Sequence, residues 1–99
     1  MKIIKDLKDG NLTLYIEGEI NSFTASELED VIKTDLNNVK SLVFDFKNVE
    51  YLSSAGLRVL LVAQKVMNKQ GKMSLRNVNK SVMEVFEITG FVNILDIEA

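Results

Sequence analysis

Cysteine and histidine are both absent from the 99 residues. Without cysteine there are no disulfides, no thiolate chemistry and no cysteine-based zinc sites. Without histidine the chain lacks the commonest general base and the commonest transition-metal ligand. The five glycines, at 10, 18, 56, 71 and 90, form neither G-x-G-x-x-G nor a P-loop, so the chain carries no phosphate-cradling loop of its own. There is no basic run, and the net charge is −2, which argues against nucleic acid as a partner. The longest apolar run is the five residues Val59 to Ala63, far too short to cross a membrane. The N-terminus, Met-Lys-Ile-Ile-Lys-Asp, has no apolar core and no cleavage pattern, so a cytoplasmic protein without a signal peptide is expected.

What is present is enough for one domain, residues 1–99. Apolar residues make up 46% of the chain, which supplies a core that needs no metal or disulfide to hold it. Ile3 to Lys8 reads as a first strand, with Ile3 and Leu7 on one side. Asp9-Gly10 then favours a tight hairpin turn, because both residues tolerate positive φ. Leu12, Leu14 and Ile16 alternate with Thr13, Tyr15 and Glu17 as a half-buried second strand, and Gly18 to Asn21 leads out of it.

A first helix follows. Thr24 is placed to cap it, Glu27 to reach back, and Phe23 with Leu28 to form a hydrophobic staple. Leu28, Val31, Ile32 and Leu36 make its buried stripe, and Asn37-Asn38 ends it. Ser41 to Phe46 is an apolar, β-rich third strand. The next helix spans about Ala55 to Lys69 and closes on Gln70-Gly71-Lys72, with Gly71 at the C′ position. Met73 and Leu75, with Asn77 as a further candidate, alternate in a fourth strand. A last helix, Asn79 to Thr89, has Asn79 or Ser81 as its cap and Gly90 as its stop, with Val82, Val85, Phe86 and Thr89 as inward positions. Phe91 to Ile97 closes the chain.

The order β-β-α-β-α-β-α is a hairpin plus two crossovers. Crossovers between parallel strands are right-handed. If both advance the same way, the sheet runs 1-2-3-4 with strand one antiparallel, and the helices share a face. The expected fold is therefore α/β: a four-stranded mixed sheet with helices packed mainly on one side.

The chain is organised around Tyr51-Leu52-Ser53-Ser54-Ala55-Gly56-Leu57-Arg58, which puts two serines where a strand turns into a helix. In open α/β sheets, ligands and chemistry gather at such turns. On a helical wheel Ala55, Val59, Val62, Ala63, Val66 and Met67 form the core side. Arg58, Lys65 and Lys69 mark the opposite side, and Ser54, Leu57 and Leu61 fall with them. Two leucines on that side have two readings: a partner-binding surface, or burial under a neighbouring loop. One serine suffices as helix cap, and that role goes to Ser53. Gly56 reads as a site of close backbone approach or as a small packing residue. Arg58 reads as a partner contact or a solvated cation. Asp45, near a strand end, has no base partner and reads as structural. Ser53-Ser54-Ala55-Gly56 does not fit G-x-S-x-G and has no histidine or cysteine as base, so no catalytic residue is assigned.

The whole chain resembles a STAS domain, the module of bacterial anti-sigma factor antagonists. The resemblance is carried by Gly18-Glu19-Ile20-Asn21 with Thr24-Ala25, by Val43-Phe44-Asp45-Phe46 running into Val49-Glu50-Tyr51-Leu52-Ser53-Ser54-Ala55-Gly56-Leu57, and by Val85-Phe86 with Thr89-Gly90. It implies a STAS fold and a switch. In such antagonists the unmodified form binds an anti-sigma factor that is also a serine kinase, which frees the sigma factor. The kinase supplies the ATP and phosphorylates the antagonist, the modified form lets go, and a serine phosphatase reverses the step. Matched residue by residue, the acceptor is Ser54. Asn21, Ser53, Ser54, Gly56, Leu57, Arg58 and Leu61 are the implied partner-binding set, with no cofactor and no metal.

Two positions depart from the family pattern: Ser53 stands where aspartate is frequent, and Asn21 replaces the aspartate of Gly-Glu-Leu-Asp. Some STAS proteins are scaffolds or subunits of larger complexes that are never phosphorylated, which is the alternative reading. A monomer, or a weak dimer through strand one or the Leu57 face, is expected.

Overall fold

The computed structural model describes residues 1–98. The elements are β1 (Lys2–Lys8), β2 (Asn11–Ile20), α1 (Thr24–Asp35), β3 (Ser41–Leu52), α2 (Ser54–Asn68), β4 (Lys72–Arg76) and α3 (Lys80–Thr89), then a 3-10 turn, Phe91–Asn93. The sheet order is β1-β2-β3-β4, with β1 antiparallel to β2 and the other pairs parallel. The hairpin, the two crossovers and their order across the sheet are as the sequence predicts.

The register explains which face is buried. Leu14 lies opposite Phe44, and Phe44 opposite Leu75, so these three form one row on the helix side. Leu12, Leu42 and Met73 form the next row, and all six side chains are buried. Leu28, Ile32, Leu60, Ala63 and Phe86 from the three helices complete the same core. Phe46 links sheet to helix, its ring 6.2 Å from Phe44 and 6.4 Å from Phe86. Lys5, on the helix face of the outermost strand, pairs with Asp35 and ties β1 to the end of α1.

The turns follow local chemistry. Asp9 and Gly10 both have positive φ, 52° and 81°, as a two-residue hairpin of this kind requires. Asn79 caps α3 by accepting from the Val82 N–H at 2.8 Å, and Gly90 ends it in the left-handed region at φ 79°. The C-terminal segment pairs in parallel with the free edge of β4 through Ile97 and Leu75.

Several elements differ from the sequence reading. β2 continues through Gly18 to Ile20, and β3 runs on to Leu52. Two register shifts between these strands absorb extra residues in β3 beyond Asp45. The consecutive Asp45 and Phe46 are both buried because they face opposite ways, Phe46 into the helix-side core and Asp45 beside Arg76 on the other face of the sheet.

Thr24 does not cap α1, and Glu27 does not reach back. Asn21 is the cap: its Oδ1 accepts from the N–H groups of Phe23 and Thr24 at 2.9 and 3.0 Å. The Thr24 hydroxyl accepts from Asn21 N–H at 2.8 Å, so Thr24 closes the capping box that glutamate was expected to close. The staple is not formed, since Phe23 is 87% exposed.

Gly71 is not left-handed. It is needed because a Cβ there would lie 1.9 Å from the Lys40 carbonyl oxygen. Asn77 lies past the end of β4 with φ 58°, and Thr89 is exposed, its hydroxyl bonding back to the Val85 carbonyl.

Candidate functional site

The site forms where the carboxyl ends of β2 and β3 meet. Ser53 N–H donates to the Ile20 carbonyl at 2.8 Å, which fixes the two strand ends side by side. β3 then turns directly into α2. Ser53 takes extended backbone (ψ 172°) and its Oγ accepts from Gly56 N–H at 3.3 Å, so Ser53 is the helix cap as expected. Ser54 is the first residue of α2. Its side chain is exposed and makes no hydrogen bond among the described residues. The two serines thus divide the work: one is committed to the backbone and the other is free.

Gly56 is buried under this turn. A Cβ would sit 2.5 Å from Leu52 Cδ1 and 2.8 Å from Ile20 Cγ2, so the close approach is to side chains at the strand ends. This packing seats the first turn of α2 on β2 and β3 and so fixes where Ser54 is presented.

Leu57 corrects the wheel. It is only 7% exposed and belongs to the core, together with Gly56, Val59, Leu60, Ala63 and Met67. The buried face of α2 is rotated toward Leu57 and Leu60, because the helix packs on α1 as well as on β3 and β4. Of the residues expected on the core side, Val59, Ala63 and Met67 are buried, while Ala55, Val62 and Val66 are half-buried at its margin. Burial of Leu57 also removes the basis for a dimer through that residue. Leu61 is half-buried. The stripe left facing solvent carries Ser54, Arg58 and Lys65, with Leu61 beside it.

A groove of about 180 Å³ runs between the first turns of α1 and α2. Ser22, Ser26 and Glu29 line it from one side, Ala55 and Arg58 from the other. Asn21 does not line the groove but sets its far wall, since its cap fixes where α1 begins. Asparagine keeps the capping oxygen of the aspartate it replaces and loses only the charge. Sequence reasoning missed Ser22 and Ser26 as groove residues, and read Phe23 as a staple where it is exposed. The signal that could have found them is Asn21 itself: with the cap at Asn21, Phe23 falls in the first turn rather than before it.

A second polar cluster lies on the opposite face of the sheet. Tyr15, Asp45 and Arg76 stand in one row across β2, β3 and β4. Asp45 accepts from Arg76 Nε at 2.9 Å, from Lys47 N–H at 3.0 Å and from Asn77 Nδ2 at 3.2 Å. Arg76 also donates to the Tyr15 hydroxyl at 3.3 Å, with its guanidinium 5.8 Å from that ring centroid. Burial works to raise the Asp45 pKa, but the Lys47 N–H, Arg76 and Asn77 outweigh it and hold the carboxyl below its ordinary value. Its oxygens are fully used, and among the described residues no group of acidic side chains is arranged to hold a metal. Asp45 is a cross-strand tie: its role is structural as expected, but it stands inside β3 rather than at a strand end or turn. No helix among the described residues is long and apolar enough to cross a membrane.

Comparison with known proteins decides the family. The STAS domain family model matches residues 2–99. The chain belongs to the STAS domain family. A Bordetella bronchiseptica STAS relative, the candidate anti-sigma factor antagonist BtrV, is 38% identical over 99 residues, covering 98% of this chain and 85% of its own length. The anti-sigma-B factor antagonist of Bacillus subtilis is 31% identical over 102 residues, covering 100% of this chain and 94% of its own. Among solved structures, the anti-sigma factor antagonist SpoIIAA in its unphosphorylated form superposes with a TM-score of 0.84 at 16% identity, covering 99% of this STAS chain and 89% of that one. At such identity the superposition speaks to the fold, which is the four-stranded mixed sheet with three helices described above.

Proposed function

We propose that this STAS protein is an anti-sigma factor antagonist switched by phosphorylation of Ser54. In this reading the unmodified protein binds an anti-sigma factor that is also a serine kinase, and binding releases the sigma factor. The kinase transfers the γ-phosphoryl group of its ATP to Ser54 Oγ. The Pγ–O bond to the β-phosphate breaks, ADP leaves, and the hydroxyl proton passes to a base of the kinase. A serine phosphatase restores the hydroxyl. The chain is then a binding module and a substrate, and it contributes no catalytic group.

One observation carries this reading: the Ser54 hydroxyl is exposed and uncommitted at the start of α2, while its neighbour Ser53 does the capping. A kinase can reach Ser54 without opening the fold. The relatives named as antagonists are the reason to read that hydroxyl as an acceptor. A phosphoryl group would add about −1.5 to −2 charges at neutral pH. Free N–H groups at the first turn and the helix dipole favour negative charge there, so the fold is retained. A partner covering the Ser54–Arg58 stripe would have to desolvate that charge, and binding is lost.

Intact-mass spectrometry after incubation with the anti-sigma kinase and ATP tests the acceptor. The expected result is one added phosphate on the wild type and none on Ser54→Ala. One phosphate on both proteins would move the acceptor elsewhere, and none on either, with a kinase active on another antagonist, would contradict the switch.

A further inference from the structure

We propose that a phosphoryl group on Ser54 pairs within the same helix with Arg58, so that modification withdraws the one guanidinium that lines the groove between α1 and α2. The inference rests on Ser54 as the modified residue. Ser54 and Arg58 are four residues apart inside α2, hence one turn apart on the same face. The acidic member would be the N-terminal one, which is the favourable order on a helix.

Both side chains are free to meet. Ser54 and Arg58 are exposed, and Arg58 forms no ion pair among the described residues. The other charged side chain in the groove is Glu29, half-buried on α1 and within 3.9 Å of Lys33. Its carboxylate would repel a phosphate, and among the described residues lining the groove Arg58 is the only cation. Arginine suits the task, since its planar fork offers two parallel N–H donors to phosphate oxygens. In the unmodified protein the same fork is available to a carboxylate or carbonyl on a partner. A phosphate in cis would take it first, because its effective concentration is set by the helix. Modification then acts twice, adding charge at Ser54 and occupying Arg58.

The test uses the full chain with phosphoserine installed at position 54 by genetic encoding, so no kinase is involved. Phosphorus NMR follows the second ionisation of the phosphate in the wild type, Arg58→Gln and Arg58→Lys. The helix N-terminus acts equally in all three proteins and cancels in the comparison. The expected result is an inflection about half a pH unit lower in the wild type than in Arg58→Gln, roughly a threefold change in proton affinity, with Arg58→Lys recovering part of the difference. Coincident titrations of wild type and Arg58→Gln would overturn the pairing. Failure of a kinase to modify Ser54 would count against the proposed switch and leave this measurement unaffected.

Discussion

At the residue scale, the adjacent serines show how position separates two identical side chains. Ser53 sits before the first helical turn and bonds to Gly56 N–H, whereas Ser54 sits inside that turn and points to solvent. Ser53→Ala should therefore lower stability by about 1 kcal/mol, the usual cost of losing a cap, and should leave the proposed phosphorylation of Ser54 intact. A urea titration combined with the intact-mass assay checks both halves. Loss of phosphorylation in a folded Ser53→Ala protein would contradict this division.

Asp45 supplies a pH-dependent test at the same scale. Its folded pKa lies below the ordinary value, so its contribution is complete above about pH 3.9 and is lost as pH falls through the folded value. Arg76 is partly solvent-screened, so we expect Asp45→Asn to cost about 1–2 kcal/mol at neutral pH. The gap in urea midpoint between wild type and variant should close as pH is lowered toward 2. A gap that stays constant would assign the effect to packing rather than charge. The sequence places Asp45 at the right strand but could not reveal Arg76 and Asn77 as its partners, which are 31 and 32 residues away.

At the scale of elements, strands were legible where alternation was strict, as in Leu12, Leu14 and Ile16. The apolar, β-rich run ends at Phe46 and so predicts only the first half of β3, because two register shifts break the alternation beyond it. The buried face of α2 differs from the wheel for a related reason. A wheel finds one apolar side, but this helix packs against α1 and the sheet together, so residues over a wider arc are buried and Leu57 joins them. Which arc wins is a tertiary matter.

Gly71 was placed correctly at the end of α2 but for a different reason. Its neighbour is the Lys40 carbonyl, which also accepts from Lys72 N–H at 3.0 Å as β4 begins. Gly71→Ala should thus force backbone apart and cost roughly 3 kcal/mol, a substitution that would cost little at an ordinary solvent-facing position. The urea midpoint of the variant reads this directly, and an unchanged midpoint would mean that the α2–β4 turn relaxes freely.

At the scale of the molecule, the fold was legible because its rules are few: a short hairpin, right-handed crossovers and apolar rows across β2, β3 and β4. The site was legible only in part. The absence of cysteine and histidine removed thiolate and imidazole chemistry, and a strand-to-helix turn located Ser53 and Ser54. The groove between α1 and α2 was not legible, since it depends on where two helices begin in space. The assembled domain holds Ser54 on a rigid corner, seated by Gly56 against Leu52 and Ile20. The proposed switch would change the surface and leave the core alone. The most direct test is the affinity of the anti-sigma factor for this protein with serine or encoded phosphoserine at position 54, measured by calorimetry beside circular dichroism of both forms. The account predicts at least a hundredfold loss of affinity, about 2.7 kcal/mol, with unchanged secondary structure. Equal affinity of the two forms would contradict it.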